Sequence, residues 1–519
     1  LILRAVHAAA RLADLPRVRA FARAARDPAR AQETRLRRFL RGNAATAYGA
    51  AHGFAGIGSV AAFQARVPVL DTEGLAAWTA RIEAGEARVL SAAPVRVLER
   101  TSGTAAGDRR VPYTDAFLGE LRAALAPWMA DLFAARPALR SLRQYWSISP
   151  AARPAERTAG GVPVGFDDDT EYLGPVSRAA VRRVMAVPGT VARIPDVGEW
   201  RRRTLSHLLA ADDLGLISVW SPSFLTLLMR AVERDLPDHL AALPAPRAAA
   251  IRARLDAEGR LTGEALWPRL QVVSCWTDGP AAAQAEELAG YFPCTPIQGK
   301  GLLATEGVVS FPLWGRGAVA AAASHFLEFV ELDRPSARPL LLHELRAGGA
   351  YSPLLTTGGG LARYHLEDVV RCTGHHGALP LLRFEGKLDR VSDRAGEKLV
   401  AARVEALLRG VSAELGVPLP FALLAPVEDP APRYVLFAET PADDAALGAL
   451  AERLDAALRG DRHYGYCRDL GQLGPLTARR VHAGWETYQR VLAASGARLG
   501  DIKPICLDAR TDWAHAFGV

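Results

Sequence analysis

Along the first stretch of the chain, to about residue 90, apolar residues recur at helical spacing among arginines, aspartates and glutamates. This is the pattern of amphipathic helices, punctuated by the glycine-rich Gly53-Phe-Ala-Gly-Ile-Gly58. From Arg96 the pattern changes to short β-type runs followed by helices. Arg96-Val-Leu-Glu-Arg100 leads into a run of small residues, and Asp115 to Ala135 reads as a helix capped by Thr114 or Asp115. Residues 151–170 read as loop, with the acidic run Asp167-Asp168-Asp169 solvated. Leu216-Ile-Ser-Val-Trp220 is a strand. Ser221 and Pro222 then start a helix to about Arg234, since proline suits the first helical position. Gln271-Val-Val-Ser-Cys-Trp276 is a second buried strand, followed by Asp278-Gly279-Pro280 and a helix. Strands alternating with helices predict an α/β domain with a largely parallel sheet.

After Pro380 the pattern changes again. Leu381–Glu385 is a strand, Gly386–Arg390 a polar turn, and a helix runs through Leu408. Tyr434–Phe437 and a helix over 442–458 complete a small α+β region. The predicted organisation is a large N-terminal domain, 1–385, with parallel-rich sheets and helices, and a small, mobile α+β lid domain, 386–519. No repeat of fixed period interrupts it.

A length of 519 residues is consistent with two or three domains. The net charge of +7 is modest, and no dense basic block with interleaved aromatics occurs, so nucleic acid is not an expected partner. The longest apolar run, Leu214 to Met229, is too short to span a bilayer. Five scattered cysteines without a C-x-x-C pair point to a reducing compartment. The expectation is a cytoplasmic protein without membrane contact, monomeric in the simplest case. One further number changes the picture. Of 63 basic residues only four are lysines: Lys300, Lys387, Lys398 and Lys503. A bias toward arginine leaves lysine where a compact ammonium on a flexible stem is needed, so these positions are functional candidates.

Four segments carry candidate chemistry. The first is Thr101-Ser102-Gly103-Thr104, whose hydroxyls and unshielded backbone N–H groups suit phosphate oxygens. The second is Gly299-Lys-Gly-Leu-Leu-Ala-Thr305-Glu306-Gly307. The third is Thr356-Thr-Gly-Gly-Gly-Leu-Ala-Arg-Tyr-His-Leu-Glu-Asp368. The fourth is Phe384-Glu-Gly-Lys387-Leu-Asp389, continuing to Lys398. These residue types suit nucleotide activation. Glu306 can hold Mg²⁺, which takes one or two carboxylates plus phosphate oxygens. Thr305 can donate to a phosphate, Asp368 can accept ribose hydroxyls, and lysines neutralise charge developing at the α-phosphate. Each residue alone is ordinary; the order of the four carries the weight.

Taken together, the segments resemble the adenylate-forming superfamily of acyl-CoA synthetases, adenylation domains and luciferases. Within it the chain is most similar to the auxin-responsive Gretchen Hagen family of acyl-acid-amido synthetases. The resemblance rests on Thr101–Thr114, Leu302–Glu306, Gly360–Val370, Phe63–Val69, Ile82–Glu86 and the tail Gly496–Pro504. It implies a ligase that uses ATP and Mg²⁺ to convert a small carboxylic acid to an acyl-adenylate, and then passes the acyl group to an amine or amino acid. It implies phosphate contacts from Thr101, Ser102, Gly103 and Thr104, a nucleotide contact at Gly279, phosphate and Mg²⁺ binding by Thr305 and Glu306, and ribose binding by Asp368. Lys387 stands where the family has a nucleotide-contacting arginine. Lys398 matches its nucleotide-contacting lysine, and Lys398, Glu306 and Lys387 are the implied catalytic set. Asp389 falls at the hinge. Trp220, Ser223, Phe224 and Tyr145 are candidates for the acyl pocket, at the carboxyl end of a strand where α/β ligands bind.

The chain departs from the family in places. Leu302 replaces an aromatic beside the adenine, Glu367 replaces the glycine before Asp368, and Asp501 replaces a glutamine. Two alternatives stay open. The acyl group could pass to a thiol, on coenzyme A or a carrier protein, or the chain could be a non-catalytic scaffold. Neither a G-x-x-x-x-G-K-[ST] loop nor a G-x-S-x-G elbow occurs, which sets aside P-loop and serine-hydrolase chemistry.

Overall fold

The computed structural model describes residues 2–100, 110–146, 156–165, 183–194, 196–388, 391–392, 394–395, 397, 399–428, 432–494, 497 and 502–519. The acidic run Asp167–Asp169 lies outside them. The amphipathic start folds as predicted, into helices Ile2–Ala24, Pro28–Asn43, Ala47–Ala51, Val60–Arg66 and Thr72–Glu83. Asp27, Thr46, Ser59 and Asp71 each stand at an N-cap, their side-chain oxygens accepting a backbone N–H of the first turn. Thr114 does the same for the helix Asp115–Ala135. Ser221 differs. It occupies the cap position before Pro222–Arg234, but its hydroxyl pairs with Ser223 Oγ at 2.6 Å instead of capping the backbone.

The predicted parallel sheet is present, with four strands: Arg143–Trp146, Leu214–Ser218, Val272–Ser274 and Ile297–Gln298. Tyr145, Ile217, Val273 and Ile297 share a register row on one face, and Trp146, Ser218, Ser274 and Gln298 share the next row on the other. The first row packs into a core with Phe224, Leu225 and Trp267. The second faces the helix Asp115–Ala135.

The largest sheet is antiparallel, which corrects the expectation of parallel-rich sheets. Eight strands run in the order Ser310–Leu313, Gly317–Ala320, Leu379–Lys387, Asp368–His376, Ala350–Thr356, Phe326–Glu331 and Leu340–Leu341, with Tyr364–His365 paired to Ala350–Thr356. The physical reason is connection length. Between Asp368–His376 and Leu379–Lys387 lie two residues, enough for a hairpin and far too few for a parallel crossover. The strand also runs past the predicted Glu385 through Gly386 and Lys387, because Asp368 pairs with Lys387.

From residue 399 onward, Phe421–Val427, Arg433–Glu439 and Thr477–Arg480 form a sheet flanked by helices Ala401–Leu415, Asp444–Leu458 and Gly484–Ala494. Alternate residues divide between its faces. Tyr434, Leu436 and Ala438 pack on one side and Val435 and Phe437 on the other, so both faces are covered.

A buried ion pair joins the N-terminal helices to the antiparallel sheet. Arg363, with φ of 52°, places its guanidinium 3.1 Å from the Glu328 carboxylate and donates to the carbonyls of Gln64 at 2.9 Å and Val67 at 2.6 Å. Gln64 Nε2 donates back to Glu328 at 2.9 Å. Burial pushes the Glu328 carboxyl up, and Arg363 opposes it. Removing one partner leaves a buried charge unanswered, which costs about 3–5 kcal/mol. Glu328→Gln is therefore expected to lower the urea midpoint sharply, and Arg363→Met to cost less in that background than alone. Additive effects in this double-mutant cycle would show that the pair is not coupled.

Candidate active site

Cross-strand register builds the centre of the site. Asp368 opens one strand and Lys387 closes its antiparallel partner, so the two face each other. Lys387 Nζ lies 3.3 Å from Asp368 Oδ1 and donates to the Leu366 carbonyl at 3.3 Å. Asp368 is buried. Glu367 just before it has φ of 61°, a left-handed conformation that glycine adopts without strain. The family's glycine at this position thus meets a real backbone demand, which this chain meets with a glutamate. The Glu367 carbonyl accepts from Leu388 N at 2.6 Å.

Glu306 joins this pair from the hairpin that contains Leu303–Ala304 and Gly307–Val308. Burial pushes its carboxyl above the usual glutamate range. Asp368 adds to that push, while Lys387 and Lys503 pull the other way. Two buried carboxylates thus share a space with two lysines. Thr305, beside Glu306, is tied down through its carbonyl, which accepts the Tyr113 hydroxyl at 2.7 Å. Tyr113 ends the strand Arg110–Tyr113, which pairs antiparallel with Val97–Arg100. The candidate phosphate loop Thr101–Thr104 connects these strands and lies outside the described residues, as do Asp389 and Lys398. The strands flanking that loop are nonetheless anchored to the Thr305–Glu306 segment.

A cleft of about 840 Å³, its mouth included, runs past this centre. Trp276, Leu302, Phe384, Lys300, Lys387 and Lys503 are among its lining residues. Lys503 brings the C-terminal segment to the cleft, its ammonium 5.1 Å from the Trp276 ring centroid. Three of the four lysines singled out in the sequence therefore line one cleft. Gly279, with φ of 55°, sits where an added Cβ would meet the Phe384 ring at 3.1 Å. Burial pushes the neighbouring Asp278 carboxyl up.

The acyl-pocket candidates separate. Trp220 lies against Lys300, 5.2 Å from ring centroid to Nζ, and 5.9 Å from Trp276. Tyr145 and Phe224 are packed in the core behind the parallel sheet, and Ser223 is buried against Ser221. The helix Pro222–Arg234 follows the expectation, but the strand is Leu214–Ser218 and not Leu216–Trp220, so Trp220 lies in the connection past the strand's carboxyl end while Phe224 turns into the core from the helix. Trp276 and Phe384 were not singled out as site residues. Both are flat aromatic surfaces in the cleft that Leu302 also lines, and their only sequence signal is adjacency to Asp278 and Lys387. Among the described residues, no group of three or more His, Cys, Asp or Glu gathers to hold a metal. A lone buried carboxylate such as Glu306 fits Mg²⁺, which takes most of its ligands from phosphate and water.

Comparison with known proteins places the chain. The GH3 family N-terminal domain matches residues 17–244, the GH3 family central domain 318–387 and the GH3 family C-terminal domain 402–511. The chain is 27% identical to a probable indole-3-acetic acid-amido synthetase of Oryza sativa subsp. japonica, over 70% of each chain. It is 24% identical to an indole-3-acetic acid-amido synthetase of Arabidopsis thaliana, covering 85% of this chain and 84% of the other. In fold it is similar to the AtGH3.15 acyl acid amido synthetase solved in complex with 2,4-DB. The TM-score is 0.85 at 18% identity, over 98% of this chain and 96% of that one. A 2-hydroxyisobutyryl-CoA ligase in the postadenylation state aligns with a TM-score of 0.51 at 13% identity, over 93% and 90%. The three domain matches follow one another along most of the sequence, and the chain belongs to the GH3 family.

Proposed function

We propose that the protein is an ATP-dependent acyl-acid-amido synthetase, an enzyme that adenylates a small carboxylic acid and transfers the acyl group to an amine or amino acid. The observation that carries this reading is that the buried carboxylates Glu306 and Asp368 interact electrostatically with each other and with lysines that line the cleft, Lys387 and Lys503. The amido-synthetase names of its relatives support the choice of acceptor.

In the first half-reaction a carboxylate oxygen attacks the α-phosphorus of ATP. A carbon-bound oxygen–phosphorus bond forms, and the bond to the β-phosphate bridge breaks to release pyrophosphate. Thr101, Ser102, Gly103 and Thr104 would cradle the phosphates, and Gly279 would let the backbone approach the nucleotide. Thr305 donates to a phosphate oxygen and Asp368 accepts from the ribose. Glu306 is the residue that would hold Mg²⁺, which when bound offsets phosphate charge. Lys387 answers Asp368 in the free protein and is placed to meet nucleotide charge when it arrives. Lys398 stabilises charge growing between the carboxylate and the α-phosphate. In the second half-reaction the amine nitrogen attacks the acyl carbon, AMP leaves, and the nitrogen loses a proton. Residues 386–519 form a lid turning about Asp389 between the two steps. A cytoplasmic, monomeric enzyme accords with this reading; among the described residues, no helix is long and apolar enough to cross a membrane.

A screen of aryl, indolyl and aliphatic acids for pyrophosphate release with ATP and Mg²⁺ tests the first step. Mass analysis of products with amino acids against coenzyme A then tests the acceptor. Amide products are expected; a thioester as the dominant product would move the protein to the thiol-transferring branch, and no release with any acid would make it a scaffold.

Lys398→Ala and Glu306→Gln are each expected to lower pyrophosphate release by about 100-fold or more, the scale of a lost charge contact in a transition state. Near-normal turnover in both would remove these site assignments. Glu306→Gln is also expected to raise the thermal midpoint at pH 8. Its folded-state pKa is raised, so holding the carboxylate charged in the interior destabilises the fold above that pKa. An unchanged or lower midpoint would contradict this. For the same reason activity should fall with pH over a range above that of an ordinary glutamate, and added Mg²⁺ should move that limb to lower pH. An acid limb indifferent to Mg²⁺ would assign it to another group.

A further inference from the structure

Lys300 is a buried lysine that no carboxylate among the described residues answers. It follows the strand Ile297–Gln298 at the carboxyl end of the parallel sheet, where ligands of α/β folds bind. Its Nζ donates to Ser218 Oγ at 2.7 Å and lies 5.2 Å, 5.9 Å and 5.2 Å from the ring centroids of Trp128, Trp146 and Trp220. Among the described residues it forms no ion pair. Burial pushes its pKa down to about 7, and burial pushes the thiol of neighbouring Cys275 up to about 12, so Cys275 brings no negative charge near neutral pH.

Donors gather around it. Ser218, Ser274 and Gln298 occupy one register row on one face of the sheet. Gln298 Oε1 accepts from Trp128 Nε1 at 3.1 Å, which turns its amide nitrogen the other way. Gln298 Nε2 and Ser274 Oγ are buried and make no hydrogen bond among the described residues. Native interiors rarely leave such groups unmet, and each costs about 1–3 kcal/mol when left so. An ammonium, a hydroxyl and an amide N–H thus cluster on one face of the sheet, beside three tryptophans and at the point where Lys300 lines the cleft. A carboxylate has two oxygens and about four lone-pair sites to receive them.

We propose that this cluster recognises a second, distal carboxylate on the acid substrate, so that the preferred acids are flat or extended diacids whose remote end is anchored by Lys300. This rests on the acid-ligase reading of the cleft. The enclosure of the cluster decides between the two small substrates. Lys300, Ser274 and Gln298 are buried, whereas the amine enters only after adenylation and must come from the open side. Lys300 is then a specificity-determining residue and not a catalytic one.

The test compares matched acids: 4-carboxyphenylacetic acid against 4-methylphenylacetic acid, and suberic acid against octanoic acid. Two readouts are used, pyrophosphate release with ATP and quenching of tryptophan emission without ATP. The wild-type protein is expected to favour each diacid by about 10-fold or more in kcat/KM, the scale of one charge-assisted hydrogen bond. Lys300→Met should erase most of that ratio and the emission change with the diacid, and Ser274→Ala should reduce both by a few fold. A wild-type ratio near one, or a ratio unchanged in Lys300→Met, overturns the inference; if Lys300→Met does not fold, the ratio in Ser274→Ala decides in the same way. Lys300-dependent diacid binding without pyrophosphate release would uphold the anion site and defeat the ligase reading. Release with monoacids but no diacid preference would do the reverse.

Discussion

Two carboxylates buried side by side are the constraint on which this architecture turns. Glu306 and Asp368 repel each other in an interior that already disfavours charge, and Lys387, a backbone hydrogen bond at Glu306 and Lys503 oppose that. These lysines come from distant parts of the chain. Lys387 is delivered by a hairpin register, and Lys503 by a segment near the C-terminus that must pack against Trp276 to reach the cleft. The antiparallel sheet, the parallel sheet and the C-terminal region therefore meet at one electrostatic centre. A polyanionic nucleotide with a divalent cation suits such a centre, because it brings both signs of charge to groups that are poorly satisfied without it.

Rigidity around this centre comes from polar contacts as well as apolar packing. Arg363 lies five residues before Asp368 and is locked by Glu328 and two backbone carbonyls of the N-terminal helices. The segment leading into Asp368 thus has its backbone set from one side by that pair and from the other by the Asp368–Lys387 register. Glu367 between them keeps a left-handed backbone without being glycine, which is sustained where the surroundings over-determine the chain. The Tyr113 hydroxyl likewise holds Thr305 to the strand that follows the candidate phosphate loop. Parts far apart in sequence are thus held by polar contacts to neighbouring elements.

Aromatic residues give two of the cleft's lysines different environments. Trp276 carries Lys503, in a lining that includes Phe384 and Leu302. Trp128, Trp146 and Trp220 stand around Lys300. A tryptophan face partly replaces the water that an ammonium gives up on burial, though less well than a carboxylate would. Burial accordingly lowers the pKa of Lys300.

Sequence alone determined the parts that depend on local chemistry. The N-terminal helices and their caps, the helix after Thr114 and the strand–helix alternation follow from periodicity and capping residues, and motif order nominated Glu306, Asp368 and Lys387, which the fold brings into electrostatic contact. The scarcity of lysine was equally legible, and it singled out Lys300 and Lys503 before any role for them was apparent. Tertiary structure decided what depends on non-local pairing. The antiparallel course of the largest sheet follows from which strands meet, and the extension of one strand to Lys387 from the charge it faces. The placing of Trp220 near Lys300 and Trp276, with Tyr145 and Phe224 in the core, follows from how the strand and helix pack. Gathering Trp128, Trp146, Ser274 and Gln298 around Lys300 likewise needs four strands in register and one helix across them. No local pattern carries that information, because burial is a property of the assembled sheet.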